Sequence, residues 1–258
     1  MIKQNKIAAA LSLALFAISA HAADATPAHF MVGAGVAAIP EYSGADKLRA
    51  LPVLQLDYQN SDGFFVSTAR GIGYGSKIDA FSLSAAIGYD AGRGDKNEHF
   101  YSGSDALKGM GKIDGAALAN LGVVYDAGAF SLNAQASLAL SNRERGNSYQ
   151  FGAAMPLLTA ESDQVMLGAH AKYSDNKNMQ TFHGVTAAQS LRSGYKVYSA
   201  KKGLESVGLD VNWNHVIDKR WSVATVVGLT RLSGDAASSP LTKRKTSPLL
   251  ASVVNYAF

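Results

Sequence analysis

Runs of apolar–polar alternation, each ten to twelve residues long, constrain this chain more than any other feature. Along residues 80–90, Phe81, Leu83, Ala85, Ile87 and Tyr89 share one face, opposite Ala80, Ser82, Ser84, Ala86, Gly88 and Asp90. Residues 130–141 set Phe130, Leu132, Ala134, Ala136, Leu138 and Leu140 against Ser131, Asn133, Gln135, Ser137, Ala139 and Ser141. Val207, Leu209, Val211, Trp213 and Ile217 oppose Gly208, Asp210, Asn212 and Asn214, and Trp221, Val223, Val227 and Leu229 repeat the pattern. Successive side chains of a strand point to opposite faces, so period two means β-strand; no long stretch keeps the 3.6-residue period of a helix. Globular strands average about five or six residues, whereas a tilted membrane-crossing strand needs about 9–11. Phe81 and Tyr89 stand eight residues apart, about 26 Å along a strand. A tilt near 40° reduces this to roughly 20 Å of height, close to the spacing of a membrane barrel's aromatic girdles. Phe130, Trp221, Tyr125, Tyr173 and Phe258 fit the same girdles.

The polar face points the same way. A soluble sandwich or lipocalin tolerates many lysines and glutamates on the face it turns to water. Here that face is mostly Ser, Asn, Gln, Gly and Ala, which suit a confined, hydrated interior. Only 17% of the residues are charged, against about 25% in an average domain. Mean hydropathy is 0.00, because each strand cancels itself. Several runs of roughly 20 apolar residues, as a helical membrane protein needs, do not occur. With 47% hydrophobic residues and a net charge of +4, the composition is not that of a disordered chain. The absence of cysteine removes disulfide scaffolds, thiolate metal sites and thiol nucleophiles together.

The first residues have the three parts of a secretion signal. Lys3 and Lys6 form a basic start, residues 7–18 an apolar stretch, and Ala20-His21-Ala22 the small-x-small pattern that signal peptidase accepts. Cleavage is expected between Ala22 and Ala23, making residues 1–22 a signal peptide and 23–258 the exported barrel. About 12 apolar residues are too few to span a membrane core of about 30 Å. Losing the two signal lysines lowers the net charge from +4 to about +2. With no basic stripe, no nucleic-acid partner is implied.

At the other end, Val253-Val254-Asn255-Tyr256-Ala257-Phe258 alternates and closes on an aromatic residue. Phe258, with Tyr256 two residues earlier, looks like the signal read by the outer-membrane barrel assembly machinery. Strand candidates fall near 30–39, 50–59, 62–70, 80–90, 115–126, 129–141, 148–158, 163–174, 204–217, 220–233 and 247–258. That makes eleven, whereas bacterial single-chain barrels have even numbers. An extra short strand, near residues 71–77 or 100–111, restores the parity. The expected fold is therefore an all-β, antiparallel, up-and-down transmembrane barrel of twelve strands, with ten as the alternative. Short turns at 126–129 and 218–220 are expected on the periplasmic side, and the long connections 91–114, 175–203 and 234–246 outside.

Motifs for chemistry are weak. Residues 33–38 match the G-x-G-x-x-A dinucleotide fingerprint, with Asp57 downstream, but the pattern runs on as strand into Pro40 where a helix is required. Gly71-Ile72-Gly73-Tyr74-Gly75 and Gly109-Met110-Gly111 read as turns or strand kinks rather than phosphate loops. His29, His99, His170, His183 and His215 are scattered without metal-ligand spacing, and His21 leaves with the signal. His170 shares the inward face of its strand with Met166, Gly168 and Lys172. A barrel phospholipase needs a Ser-His pair with an Asn, and a barrel protease needs paired Asp and His at the outer rim. No such neighbourhood stands out, and Asp175 does not pair obviously with His183. Glu41, Asp46, Lys47 and Arg49 form a mixed-charge loop. Lys201-Lys202 and Lys243-Arg244-Lys245 are outer-loop basic clusters suited to lipopolysaccharide phosphates. No catalytic, metal or cofactor-binding residue is expected.

Five segments together resemble the MltA-interacting protein/OmpV family. They are residues 33–46 running on to Leu51-Pro52, residues 64–74 (Phe64-Phe65 to Arg70-Gly71 and Gly73-Tyr74), residues 104–114, residues 179–189 and residues 233–241. The resemblance implies an outer-membrane barrel with no known catalytic residues. It also implies a scaffold that brings a murein lytic transglycosylase together with a penicillin-binding murein synthase. Other relatives are viewed as porin-like, immunogenic or adhesion-related. The expected function is thus a non-enzymatic scaffold of the outer membrane. A narrow channel for small solutes and a surface adhesin are the alternatives. Expected partners are membrane lipid and lipopolysaccharide, the assembly machinery and the two murein enzymes.

Overall fold

The computed structural model describes residues 28–97 and 102–258. The expected cleavage site at Ala22–Ala23 and His99 lie outside the described residues. Twelve antiparallel strands follow one another around a closed barrel. They are β1 (His29–Pro40), β2 (Leu48–Gln59), β3 (Phe64–Ser67), β4 (Gly71–Ile78), β5 (Phe81–Asp90), β6 (Ala116–Asp126), β7 (Ser131–Ala139), β8 (Ser148–Thr159), β9 (Asp163–Ser174), β10 (Gly203–Val216), β11 (Trp221–Leu232) and β12 (Thr246–Ala257). β1 closes the ring against β12, from Met31 opposite Ala257 to Ala38 opposite Leu250. The twelve-strand expectation holds and the ten-strand alternative does not. The parity-restoring strand is β4, while the stretch 100–111 carries a 3-10 turn at Asp105–Leu107. β3 is shorter than its expected 62–70 because Ser67 ends it. The Ser67 hydroxyl accepts the Ala69 and Arg70 amides, and Gly71 then takes φ +95° to start β4.

Five short turns, at 60–63, 79–80, 127–130, 160–162 and 217–220, lie at the end that also holds both termini of the barrel, while the turn 68–70 between β3 and β4 faces the other way. Side-chain hydrogen bonds set three of the five. Asn60 accepts the amides of Asp62 and Phe64, Asp126 that of Gly128, and Asp218 those of Arg220 and Trp221. Those two amides hold the Asp218 carboxyl below its ordinary value. The long connections lie at the other end.

The register places the alternation as expected. Phe81, Leu83, Ala85, Ile87 and Tyr89 face outward and their neighbours inward, and β7, β10 and β11 follow suit. The outer surface is a wall of exposed apolar residues such as Val36, Leu54, Ile72, Ile87, Leu209 and Leu229. Aromatic rings gather where strands meet turns: Phe81 lies 5.0 Å from Tyr125, and Trp221 and Phe258 each lie 4.9 Å from Tyr256. Tyr89, Tyr149 and Tyr173 mark the loop end. Even the outward hydroxyls of Thr225 and Ser252 bond to each other, at 2.9 Å.

The inner face divides in two. Along β5–β10 it is polar. Midway along β1, β2, β11 and β12 it carries a tightly packed apolar patch, with Ala37, Val226 and Ala251 buried against Ile39, Val53 and Leu249. His29, Gln55, Asp57 and Asn255 keep these strands polar nearer the turns. The expected face of mostly Ser, Asn, Gln, Gly and Ala is joined in that patch by larger apolar side chains that the alternation did not mark.

Candidate functional site

The long connections form a packed cap over the loop end. Tyr42 and Ala45 come from the β1–β2 loop, Leu107 and Met110 from β5–β6, Val185 from β9–β10 and Leu241 from β11–β12. They bury one another, with Tyr195 and Tyr198 packed alongside. Fully burying a large apolar side chain stabilises by about 1.5–3 kcal/mol, so four loops that are individually marginal become one body. Polar contacts fix their register. Tyr42 donates to the Leu241 carbonyl at 3.0 Å, Tyr195 to Ala106 at 2.8 Å, Tyr198 to Asp235 at 3.0 Å and Gln189 Nε2 to Met110 at 2.9 Å.

Within the cap, helix α1 (Asn176–His183) starts on Asp175, whose carboxylate accepts the Asn178 amide at 2.8 Å. Helix α2 (Ala187–Ser193) starts on a reciprocal capping box between Thr186 and Gln189, and Gly194 at φ +79° ends it. A short helix, α3 (Gly234–Ser238), packs with Met179 and Ala200 in a second apolar cluster.

Two buried arginines tie α1 to the β5–β6 loop and β5. Arg93 donates to the Phe182 carbonyl at 2.9 Å, and Arg145 pairs with Asp90 at 2.7 Å beneath the Phe182 ring. Burial pushes the Arg93 guanidinium down to about 10 and the nearby Tyr42 hydroxyl up to about 12. Both therefore keep their ordinary protonation at neutral pH.

Glu205 is the hub where cap and wall meet. A register shift against β9 between Leu204 and Ser206 leaves Glu205 and Ser206 both buried at the head of β10. Lys172 approaches the Glu205 carboxylate at 3.0 Å, Ser174 Oγ donates to it at 2.5 Å, and His183 Nε2 reaches it from α1 at 3.4 Å. His183 is wholly buried, and its Nδ1 has no partner. Ser174 and His183 thus both address the carboxylate rather than each other, so the histidine does not activate the hydroxyl as a base. This is the chemistry of a latch between plug and wall.

Below the cap, polar side chains lie flat on the inner wall. His170 leans over Gly208 and Asp210 over Gly168, their direct cross-strand partners. A Cβ at either glycine would sit within 2.5 Å of the leaning side chain. His170 Nδ1 meets Asp210 at 3.2 Å, and Asn212 donates to Asp210 at 2.5 Å. Nearer the turn end, Asp57 binds His29 at 3.0 Å and Arg70 at 2.9 Å, while Arg70 stacks 4.1 Å over the buried Phe65.

His170 therefore lies inward, as expected. His215 instead points outward, where it and Trp213 bind Asp163. Gly33, Gly35, Gly71, Gly73 and Gly75 sit within strands. Glu205 is not among the residues that the sequence singles out, although it stands as a lone glutamate just before an alternating run. Among the described residues no three His, Asp or Glu side chains converge on a metal site.

A search of curated proteins found no match. Among solved structures, the chain aligns with a monoaromatic hydrocarbon channel, CymD, at 8% identity and TM-score 0.40, over 90% of this chain and 88% of that one. An anion-selective porin from Comamonas acidovorans aligns at 10% identity and TM-score 0.37, over 90% and 98%. The Salmonella typhi OmpF, in complex with daunomycin, aligns at 13% identity and TM-score 0.36, over 84% of this chain and 66% of that one. The chain thus spans just under two thirds of the length of that porin. The profile of the MltA-interacting protein family matches residues 32–258, and the chain belongs to that family.

Proposed function

We propose that the barrel spans the outer membrane and serves as a non-enzymatic interaction protein for murein-remodelling enzymes. A cleaved signal ending at Ala22 exports it, and Tyr256 and Phe258 address it to the assembly machinery. Its apolar exterior, aromatic rings near both ends and polar inner sector suit a strand-built wall in lipid. The observation that carries the interaction reading is the cap. Four loops share one hydrophobic core over the mouth, which invests the fold in closure rather than passage. The family's description as MltA-interacting supplies the partner class, a murein lytic transglycosylase with a penicillin-binding synthase.

The turn end then faces the periplasm, and every turn there presents a carboxylate: Asp62, Asp79, Asp126, Glu161 and Asp218. Such a rim favours a basic partner surface. Immobilised protein should retain both enzymes from a detergent extract. Asp62→Lys with Glu161→Lys should reduce retention severalfold at low salt. Retention of neither enzyme by the intact protein overturns the reading.

A second reading, a narrow solute channel, is favoured by the polar side chains laid flat along β5–β10. Planar-bilayer recordings decide it. The cap predicts no stepwise conductance from the intact protein, and regular steps would establish the channel instead.

A further inference from the structure

One sector of the outer wall is hollowed. Across β8–β12 near the loop end, Phe151, Ala171, Val207, Arg231 and Thr246 stand in one lateral row of cross-strand partners. Ala169, Leu209 and Leu229 form the row below. These outward residues line an open cavity of about 620 Å³. Its floor is low because Ala169 and Ala171 project little beside Phe151, Leu209 and Leu229.

Arg231 breaks the apolar character of this wall. Among the described residues it is the one lysine or arginine at an outward-facing strand position, and no ion pair reaches it. A cation at the midplane of a lipid-facing barrel wall costs about 2–4 kcal/mol, falling to about 0–1 near the interface. Arg231 lies next to the last residue of β11, one row below Tyr173. It therefore sits at headgroup depth. Exposed lysines rim the same sector: Lys201 and Lys202 just before β10, and Lys245 just before β12.

We propose that this hollow is a binding site for the phosphorylated, multiply acylated glycolipid of the outer leaflet. One acyl chain fills the depression over Ala169 and Ala171, and a phosphate pairs with Arg231. The rim lysines face the remaining phosphate charge. An apolar trough ending in one cation complements an amphiphile whose anion adjoins its chains. The assignment to the outer leaflet rests on the proposed membrane orientation.

Native mass spectrometry of the detergent-purified full chain with diphosphorylated lipid A tests the site. Arg231→Gln should weaken retention about tenfold, roughly one charge-assisted contact. Arg231→Lys should keep most of it. Ala171→Leu, which fills the trough, should also weaken it, whereas Ala136→Leu on the outward face of β7 should not. Equal retention by wild type and Arg231→Gln overturns the proposal, as does equal retention of phosphatidylglycerol and lipid A by wild type. Cell fractionation separates the two levels: a wild-type chain absent from the outer membrane sinks the orientation, while lost selectivity in a correctly located chain sinks only the site.

Discussion

Glu205 shows how much rests on one side chain. Its two oxygens answer three donors, from Lys172 and Ser174 on β9 and His183 on α1. Glu205→Gln keeps the shape but has only one acceptor oxygen, and its amide cannot receive the Ser174 or His183 proton. Lys172 also loses its countercharge. Leaving a buried donor unsatisfied costs about 1–3 kcal/mol, and here the loss falls on the contact between α1 and the wall. Limited proteolysis within 175–202 should therefore accelerate in this variant, while the barrel keeps its heat-resistant folded mobility on gels. Unchanged cleavage would show that the apolar cluster around Met179 and Ala236 holds the cap without the latch.

At the scale of elements, legibility followed contrast between faces. β5, β7, β10 and β11 alternate between apolar and polar residues, so their register and outward faces could be read directly. β1 reads His-Phe-Met-Val-Gly-Ala-Gly-Val-Ala-Ala-Ile-Pro, apolar on both faces, and period two is silent there. The dry inner sector against Val226 and Ala251 was hidden for that reason. Loops were legible by length and side but not by content. Thr186-Ala187-Ala188-Gln189 carries a capping-box pattern that marks the start of α2, yet it follows no long apolar period to draw notice. The cap core could not be read from local sequence at all. Tyr42 and Leu241 meet from loops 199 positions apart, and only closure of the barrel brings them together. Glu205 was obscured by the register shift that turns it inward, since strict alternation is what a bulge breaks.

For the whole molecule, closure and assembly meet at Phe258. Its ring stacks on Phe30 at 4.8 Å across the β1–β12 seam, and its amide donates to the Phe30 carbonyl at 3.0 Å. It is nonetheless 74% exposed, more than a residue kept only for packing requires. Tyr256 is held more firmly, between Trp221 and Phe258 and by an Arg220 hydrogen bond at 3.0 Å. Two roles can therefore be separated. Phe30→Ser removes the stack and leaves the terminal residue in place, whereas Phe258→Ser removes both the stack and the proposed recognition signal. If Phe258 only closes the seam, the two variants should lose folded barrel equally. If assembly reads it, Phe258→Ser should lower the outer-membrane fraction severalfold and accumulate in the periplasm, while Phe30→Ser inserts nearly as well as wild type. Fractionation with heat-modifiable gel mobility measures both quantities. Normal insertion of Phe258→Ser, or equal loss in the two variants, would remove the terminal signal and leave the aromatic pair as a seam contact alone.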